Sequence, residues 1–247
     1  IQETYMNDLI KGVRKFQPLR PWIKGNCSIT PRHFYSQYTP DLLGRLYLSL
    51  DVIVPLHEAD TVSTGNTKES WKLNREYIKK ALRILVIDEE NCDMELAEDE
   101  KEEVLEKLGE PPYSCYNLYF ITIKNDEEER IVYIGQTNGT KSRFICGHHA
   151  ALKLHAPQYS RYQKYVYFGT ITFTSTDNKY LPTECLETTG QIKHLLNDIE
   201  RILIYEFKPE LNTQKYEYKF IDQPKIQIEN HTGVSDFLDF YVIYWTP

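Results

Sequence analysis

Paired cysteines are missing from this sequence. Its five, Cys27, Cys92, Cys115, Cys146 and Cys185, are odd in number, widely spaced and never arranged as Cys-x-x-Cys. That pattern argues against a disulfide framework and a zinc ribbon, and it predicts reduced thiols in a cytoplasmic protein. No apolar run approaches the roughly 20 residues needed to span a bilayer, so no membrane partner is expected. No signal-peptide pattern is present, although a chain opening at Ile1 leaves a removed leader open. A Walker loop, a dinucleotide-binding glycine pattern and internal repeats are all absent, which excludes the nucleotide-binding and solenoid classes that depend on them.

What remains is ordinary globular material: 247 residues, 41% hydrophobic and 26% charged, enough for one large or two small domains. The formal charge of −7 looks wrong for a nucleic-acid partner, but its distribution reverses that impression. Residues 88–110 carry twelve acids against Lys101 and Lys107, a net of −10, which leaves +3 for the rest of the chain. From Ile131 to Thr176 there is no Asp or Glu at all, while Lys141, Arg143, Lys153, Arg161 and Lys164 fall inside that stretch. Phosphate binding follows such local patches more than net charge. Tyr159, Tyr162, Tyr165 and Tyr167 interleave with these cations, where they could stack on bases or simply fill a strand.

The same region has a readable plan. Tyr116 to Ile123 alternates apolar and polar, residues 124–130 form a polar turn, and Ile131 to Ile134 is a second apolar run, which together predict a β-hairpin. Gly135 lets the chain leave the strand, and a helix is expected from about Lys141 to His155. Tyr165 to Thr174 alternates as a third strand. Thr189 to Phe207 carries an apolar stripe of Ile192, Leu195, Leu196, Ile199, Leu203 and Phe207, with Glu200 at its border.

Asn117-Leu118-Tyr119, Tyr133-Ile134-Gly135, Arg143, Glu200 in the run Asp198 to Ile204, and Lys208-Pro209-Glu210-Leu211-Asn212 follow one another in an order that resembles the GIY-YIG nuclease superfamily. The first tripeptide keeps only its tyrosine; the second is intact. Arg143 lies eight residues past Gly135, where the family places its arginine. The Glu-Arg-hydrophobic run followed by Pro-x-x-Asn looks most like the type II restriction-endonuclease branch. Where the family has His or Tyr one helical turn after the arginine, this chain has Gly147, followed at once by His148 and His149. The resemblance covers somewhat under half of the chain.

It implies an α/β (α+β) protein whose core is a small antiparallel three-stranded sheet flanked by helices, at residues 113–214. It also implies a metal-dependent DNA endonuclease acting on double-stranded DNA. Tyr119, Tyr133, Arg143, His148, His149, Glu200 and Asn212 would form the site. Glu200 would hold Mg²⁺ (or Mn²⁺), Arg143 would neutralise the non-bridging oxygens, and Tyr119 or one of the histidines would take a proton from water. A restriction role would favour a homodimer.

Each residue alone has a plainer reading. Tyr133 is one of 19 tyrosines, Arg143 a solvated helix start, Glu200 an amphipathic border charge, and Asn212 a turn residue satisfying backbone groups. The argument rests on their joint order. Two other functions stay open: a non-catalytic nucleic-acid-binding protein on a decayed nuclease scaffold, and an interaction protein using the acidic segment.

Outside 113–214 the sequence speaks of organisation more than of function. Residues 1–87 read as a mainly helical N-terminal region and a candidate DNA-contacting domain. Ile1 to Phe16 is expected as a helix, Pro18 to Pro31 as loop, and Pro40 to Val54 as a helix or helix–strand pair. Lys68 to Val86 is expected as an amphipathic helix with Lys72, Arg75 and Lys79 in a cationic stripe. Residues 88–112 read as an acidic linker with a short helix over Glu98 to Leu108. Residues 215–247 read as a C-terminal strand extension.

Overall fold

The computed structural model describes residues 16–25, 29–35, 45–91, 95–137, 144, 147–174, 180–213 and 225–244. The helix expected over residues 1–16 falls almost wholly outside these, as do Lys141, Arg143 and the first part of the strand extension expected over 215–247.

One mixed, seven-stranded sheet organises the chain. Its strands are β1 (Leu46–Pro55), β2 (Leu118–Lys124), β3 (Glu129–Gln136), β4 (Gln163–Thr174), β5 (Tyr180–Pro182), β6 (Ile226–Asn230) and β7 (Phe240–Ile243). They run in the order β3-β2-β4-β1-β6-β7, with β5 beside β4. β1 and β6 pair in parallel and the other neighbours are antiparallel. The expected hairpin is therefore present as β2 and β3, but the sheet it belongs to is larger than three strands.

The largest departure from the sequence reading is β1. Residues 46–54 were expected within a helix or helix–strand pair; they form a strand at the centre of the sheet instead. A short apolar run cannot be assigned by hydrophobicity alone, and here the alternation of Leu46, Leu48 and Leu50 decides it. A register shift between Leu50 and Val52 places Asp51 as an extra residue. After that bulge the alternation flips: Leu46, Leu48 and Leu50 join one apolar layer, Val52 and Val54 the layer on the opposite face.

Four helices cover the first face. They are α1 (Arg20–Lys24), α2 (Thr67–Leu85), α3 (Glu98–Leu108) and, later in the chain, α5 (Ile192–Phe207). α1 interrupts what was expected as loop; Pro21 suits its first turn, and Trp22 and Ile23 are buried. Asn66 caps α2 by accepting the Glu69 amide at 2.9 Å, and Tyr77, Ile78, Ala81 and Leu82 face the core. α3 is packed on the core through Val104, with Leu105 and Leu108 against the same cluster. Gln17 Nε2 donates to the Pro111 carbonyl at 2.8 Å, and Tyr77 Oη to that of Gly109. The acidic segment is thus fastened at its C-terminal end.

The second face is thinner. It carries α4 (His149–Lys153), a 3-10 turn at Pro157–Tyr159 and another at Leu56–Thr61. Part of the helix expected over 141–155 lies outside the described residues; α4 itself starts at His149, with His148 as its N-cap and Gly147 before it at φ +84°. No helix among the described residues is long and apolar enough to cross a membrane.

A buried polar hub joins the two halves of the chain. Glu184 is 0% exposed and accepts from Ser70 Oγ (2.6 Å), Ser114 Oγ (2.5 Å) and the Cys115 amide (3.3 Å). Beside it, Asn117 Oδ1 accepts the Ile171 amide at 2.7 Å and Nδ2 donates to Thr183 Oγ1 at 3.1 Å. These bonds satisfy groups that would be costly to bury alone, and they fix where β2 begins.

Candidate active site

Strand pairing explains why Gly135 must be glycine. Tyr119 and Gly135 are directly opposite each other in the β2–β3 ladder, so both point to the same face. A Cβ on Gly135 would lie 2.4 Å from Tyr119 Oη and 2.9 Å from Tyr133 Cε1. The Tyr119 ring therefore lies across the glycine, and the two sequence motifs interlock. A register shift between Ile121 and Thr122 leaves Val132 as the extra residue of β3. Tyr133, two residues before Gly135 and opposite Ile121, points to the same face as Tyr119 by plain alternation; the rings stack at 6.0 Å between centroids.

His148 completes this cluster. Its Nε2 lies 2.7 Å from Tyr119 Oη, and its Nδ1 accepts the Ala151 amide at 3.4 Å. A ring nitrogen that accepts an N–H carries no proton, so the network assigns the neutral ring's proton to Nε2, which then donates to the Tyr119 oxygen. Phe144 stacks on the imidazole at 5.0 Å, and Tyr133 meets its edge at 4.9 Å. Tyr119 is 1% exposed and sits behind His148. His149, the next residue, is exposed at the cavity rim.

Glu200 approaches from the other side of the sheet edge. It is half-buried on α5, and its Oε2 accepts Gln136 Nε2 at 2.8 Å. The same Nε2 donates to Asn197 Oδ1 at 2.9 Å. Asn212 is committed to the backbone: Oδ1 accepts the Ile134 amide and Nδ2 donates to the Ile134 carbonyl, each at 2.9 Å. The Leu211 amide adds a bond to the Val132 carbonyl at 2.9 Å. Asn212 thus clamps residues 211–212 along β3. Glu210, next to it, accepts from Tyr159 Oη at 2.9 Å and pairs with Arg130 at 3.3 Å. Burial and then the Glu210 bond push the Tyr159 phenol upward, so it stays a neutral donor.

Tyr133, Gly147, His148, His149, Glu200, Leu211 and Asn212 all line one cavity of about 530 Å³ that opens over the β3 edge. Tyr119 touches this cavity only through His148 and Tyr133. Arg143 and Lys141 lie outside the described residues. Of the remaining expected cations, Lys153 is on α4, whose N-terminus lines the cavity. Arg161 and Lys164 turn instead towards Tyr162: Arg161 sits 5.3 Å from its ring, and Lys164 Nζ donates to its carbonyl at 3.2 Å. Lys72, Arg75 and Lys79 sit on α2, against the face of the sheet opposite Tyr119. Arg75 is packed over Tyr35 (4.4 Å) and Trp71 (5.4 Å). That stripe is not part of the cavity.

Among the described residues no group of three or more His, Cys, Asp or Glu side chains converges as a metal cage. Among the described residues the cavity offers one carboxylate, Glu200, beside amide and hydroxyl oxygens. Such a donor set suits Mg²⁺, which keeps several waters and binds through one or two carboxylates plus substrate oxygens. Gln136, Asn197 and Phe144 were missed in the sequence. The available signal was Asn197 and Glu200 at i, i+3 on one helix face, below a polar residue at the end of a strand. No family model, curated protein or solved structure matches this chain.

Proposed function

We propose that this protein is a Mg²⁺-dependent DNA endonuclease of the GIY-YIG type, restriction-like in its sequence-specific action on double-stranded DNA. The observation that carries the reading is the meeting of His148, hydrogen-bonded to Tyr119 at 2.7 Å, with Glu200 across one cavity. The antiparallel set β3-β2-β4 would be the core of that family's sheet, elongated here by β1, β6 and β7.

Each side chain has a task in this reading. Mg²⁺, held by Glu200, would supply charge for the phosphate and the leaving oxygen. Arg143 would donate to the non-bridging oxygens as charge grows there. Tyr133 orients the attacking water from the cavity wall. His148 takes the proton at Nδ1: the 3.4 Å contact from the Ala151 amide is its weaker ring contact and is exchanged for the water's O–H. Nε2–H meanwhile stays on the Tyr119 oxygen, which holds the tautomer and orientation, as a third group does for a base in other hydrolytic sites. Asn212 contacts no reacting atom; it keeps β3 and the cavity rim in register. Two-fold symmetry of a palindromic site would call for a dimer.

Glu200→Gln tests the reading, since it removes charge at nearly constant volume. Cleavage of duplex DNA should disappear while salt-sensitive DNA binding persists. DNA binding without cleavage by the unaltered protein would instead support a non-catalytic scaffold. Neither binding nor cleavage would turn attention to a basic partner of the acidic segment.

A further inference from the structure

We infer that Gln136 is a positioning residue for the Glu200 carboxylate, held in its turn by Asn197; this rests on the metal-nuclease reading above. Gln136 is the last residue of β3 and is 6% exposed. Its backbone is fixed on two sides. It pairs with Leu118 in the β2–β3 ladder, and the next amide, Thr137 N, donates to the Asn117 carbonyl at 3.1 Å. Asn117 is itself pinned by Ile171 and Thr183.

The side chain leaves this rigid point with two N–H donors on Nε2. One goes to Asn197 Oδ1 at 2.9 Å and the other to Glu200 Oε2 at 2.8 Å. Both acceptors are oxygens, so the amide has one orientation that satisfies them, with nitrogen and not oxygen facing the carboxylate. A glutamate on a half-exposed helix face has three side-chain torsions to order before it can ligate an ion. A donor at Oε2 selects one of those arrangements in advance. Asn197, one turn earlier on α5, stops the glutamine amide from turning over. Strand end and helix are thereby tied at the point where the carboxylate enters the cavity.

Outer partners of metal-binding carboxylates typically change metal affinity or activity by about 10- to 100-fold when removed. Isothermal titration with Mn²⁺ alone, with no DNA present, reads this directly. Gln136→Met preserves length and approximate volume, and it should weaken Mn²⁺ binding by about tenfold or more. The same variant should lower kcat with little change in KM for duplex DNA. Asn197→Ala should move both readings in the same direction by a smaller factor. It also reads the tie from its other end should Gln136→Met not fold.

A purely structural role predicts something else: a lower melting temperature with unchanged Mn²⁺ affinity for the folded protein. Wild-type Mn²⁺ affinity in both folded variants, where Glu200→Gln abolishes binding, would overturn the positioning role and leave the nuclease reading standing. Absence of any Glu200-dependent Mn²⁺ binding in the unaltered protein would overturn both.

Discussion

At the scale of single residues, the two histidines that look equivalent in sequence are given different surroundings by the fold. His148 is buried against Tyr119 and Phe144, while His149 faces solvent at the start of α4. Turnover in His148→Ala should fall by about 100-fold or more, the usual range for a general base. Tyr119→Phe should fall less, and His149→Ala should stay near wild type. Steady-state kinetics on the three variants checks the order, and a loss confined to His149→Ala would reverse the assignment. Gly135→Ala should disable both tyrosines at once, because the added Cβ would occupy the place of Tyr119 Oη. Overpacking of this kind costs about 1–3 kcal/mol, so a lowered melting temperature should accompany lost activity. Asn212→Asp separates structure from chemistry. It keeps an acceptor for the Ile134 amide but opposes the Ile134 carbonyl with a second acceptor, and thermal melting should show a loss of about 1–3 kcal/mol.

At the scale of elements, α2 and α3 make the fold's alkaline limit predictable. Tyr77 on α2 is pushed up to about 12, first by burial and then by the Glu110 charge. An ordinary tyrosine ionises near 10. Below pH 10 the phenol is neutral in both folded and unfolded chains, so its contribution is fully present. Between about 10 and about 12 the unfolded chain ionises first, and stability is lost as pH rises. Tyr167, raised mainly by burial and packed against Phe237 between β6 and β7, acts in the same direction. Denaturant midpoints taken across that window should fall in the native protein and fall less steeply in Tyr77→Phe.

Elements also show where sequence was informative. α2 and α5 could be read because each repeats its apolar residues at one clear period over many positions, and the β2–β3 hairpin because two apolar runs flank a polar turn. β1 could not, because its bulge at Asp51 switches faces halfway and hides the alternation. The start of α4 was hidden as well, because positions 148–155 keep helical spacing while Gly147, just before them, takes a positive φ. Tyr119, Tyr133, Glu200 and Asn212 were visible as candidates by their order. Gln136 was not, because its partners become neighbours only when α5 crosses the end of β3.

At the scale of the whole molecule, a chain with net charge −7 that acts on DNA as proposed would have to meet it through a local surface. The acid-free stretch from Ile131 to Thr176 supplies most of β3 and all of α4, both of which line the cavity, whereas α2 presents Lys72 and Lys79 on the far side of the sheet. Binding to duplex DNA should therefore respond to Lys153→Ala more than to Lys72→Ala or Lys79→Ala. Each lost phosphate contact should lower the slope of log affinity against log salt by about one. Equal effects at all three lysines would show that the DNA surface does not follow the cavity.

The most direct measurement is cleavage itself. The purified protein would be incubated with long, varied duplex DNA in Mg²⁺, in EDTA, and as Glu200→Gln. Discrete fragments that require both the metal and Glu200 are the predicted result, and their ends would give the recognition site. Intact DNA under every condition, or cutting that persists in Glu200→Gln, would contradict the account.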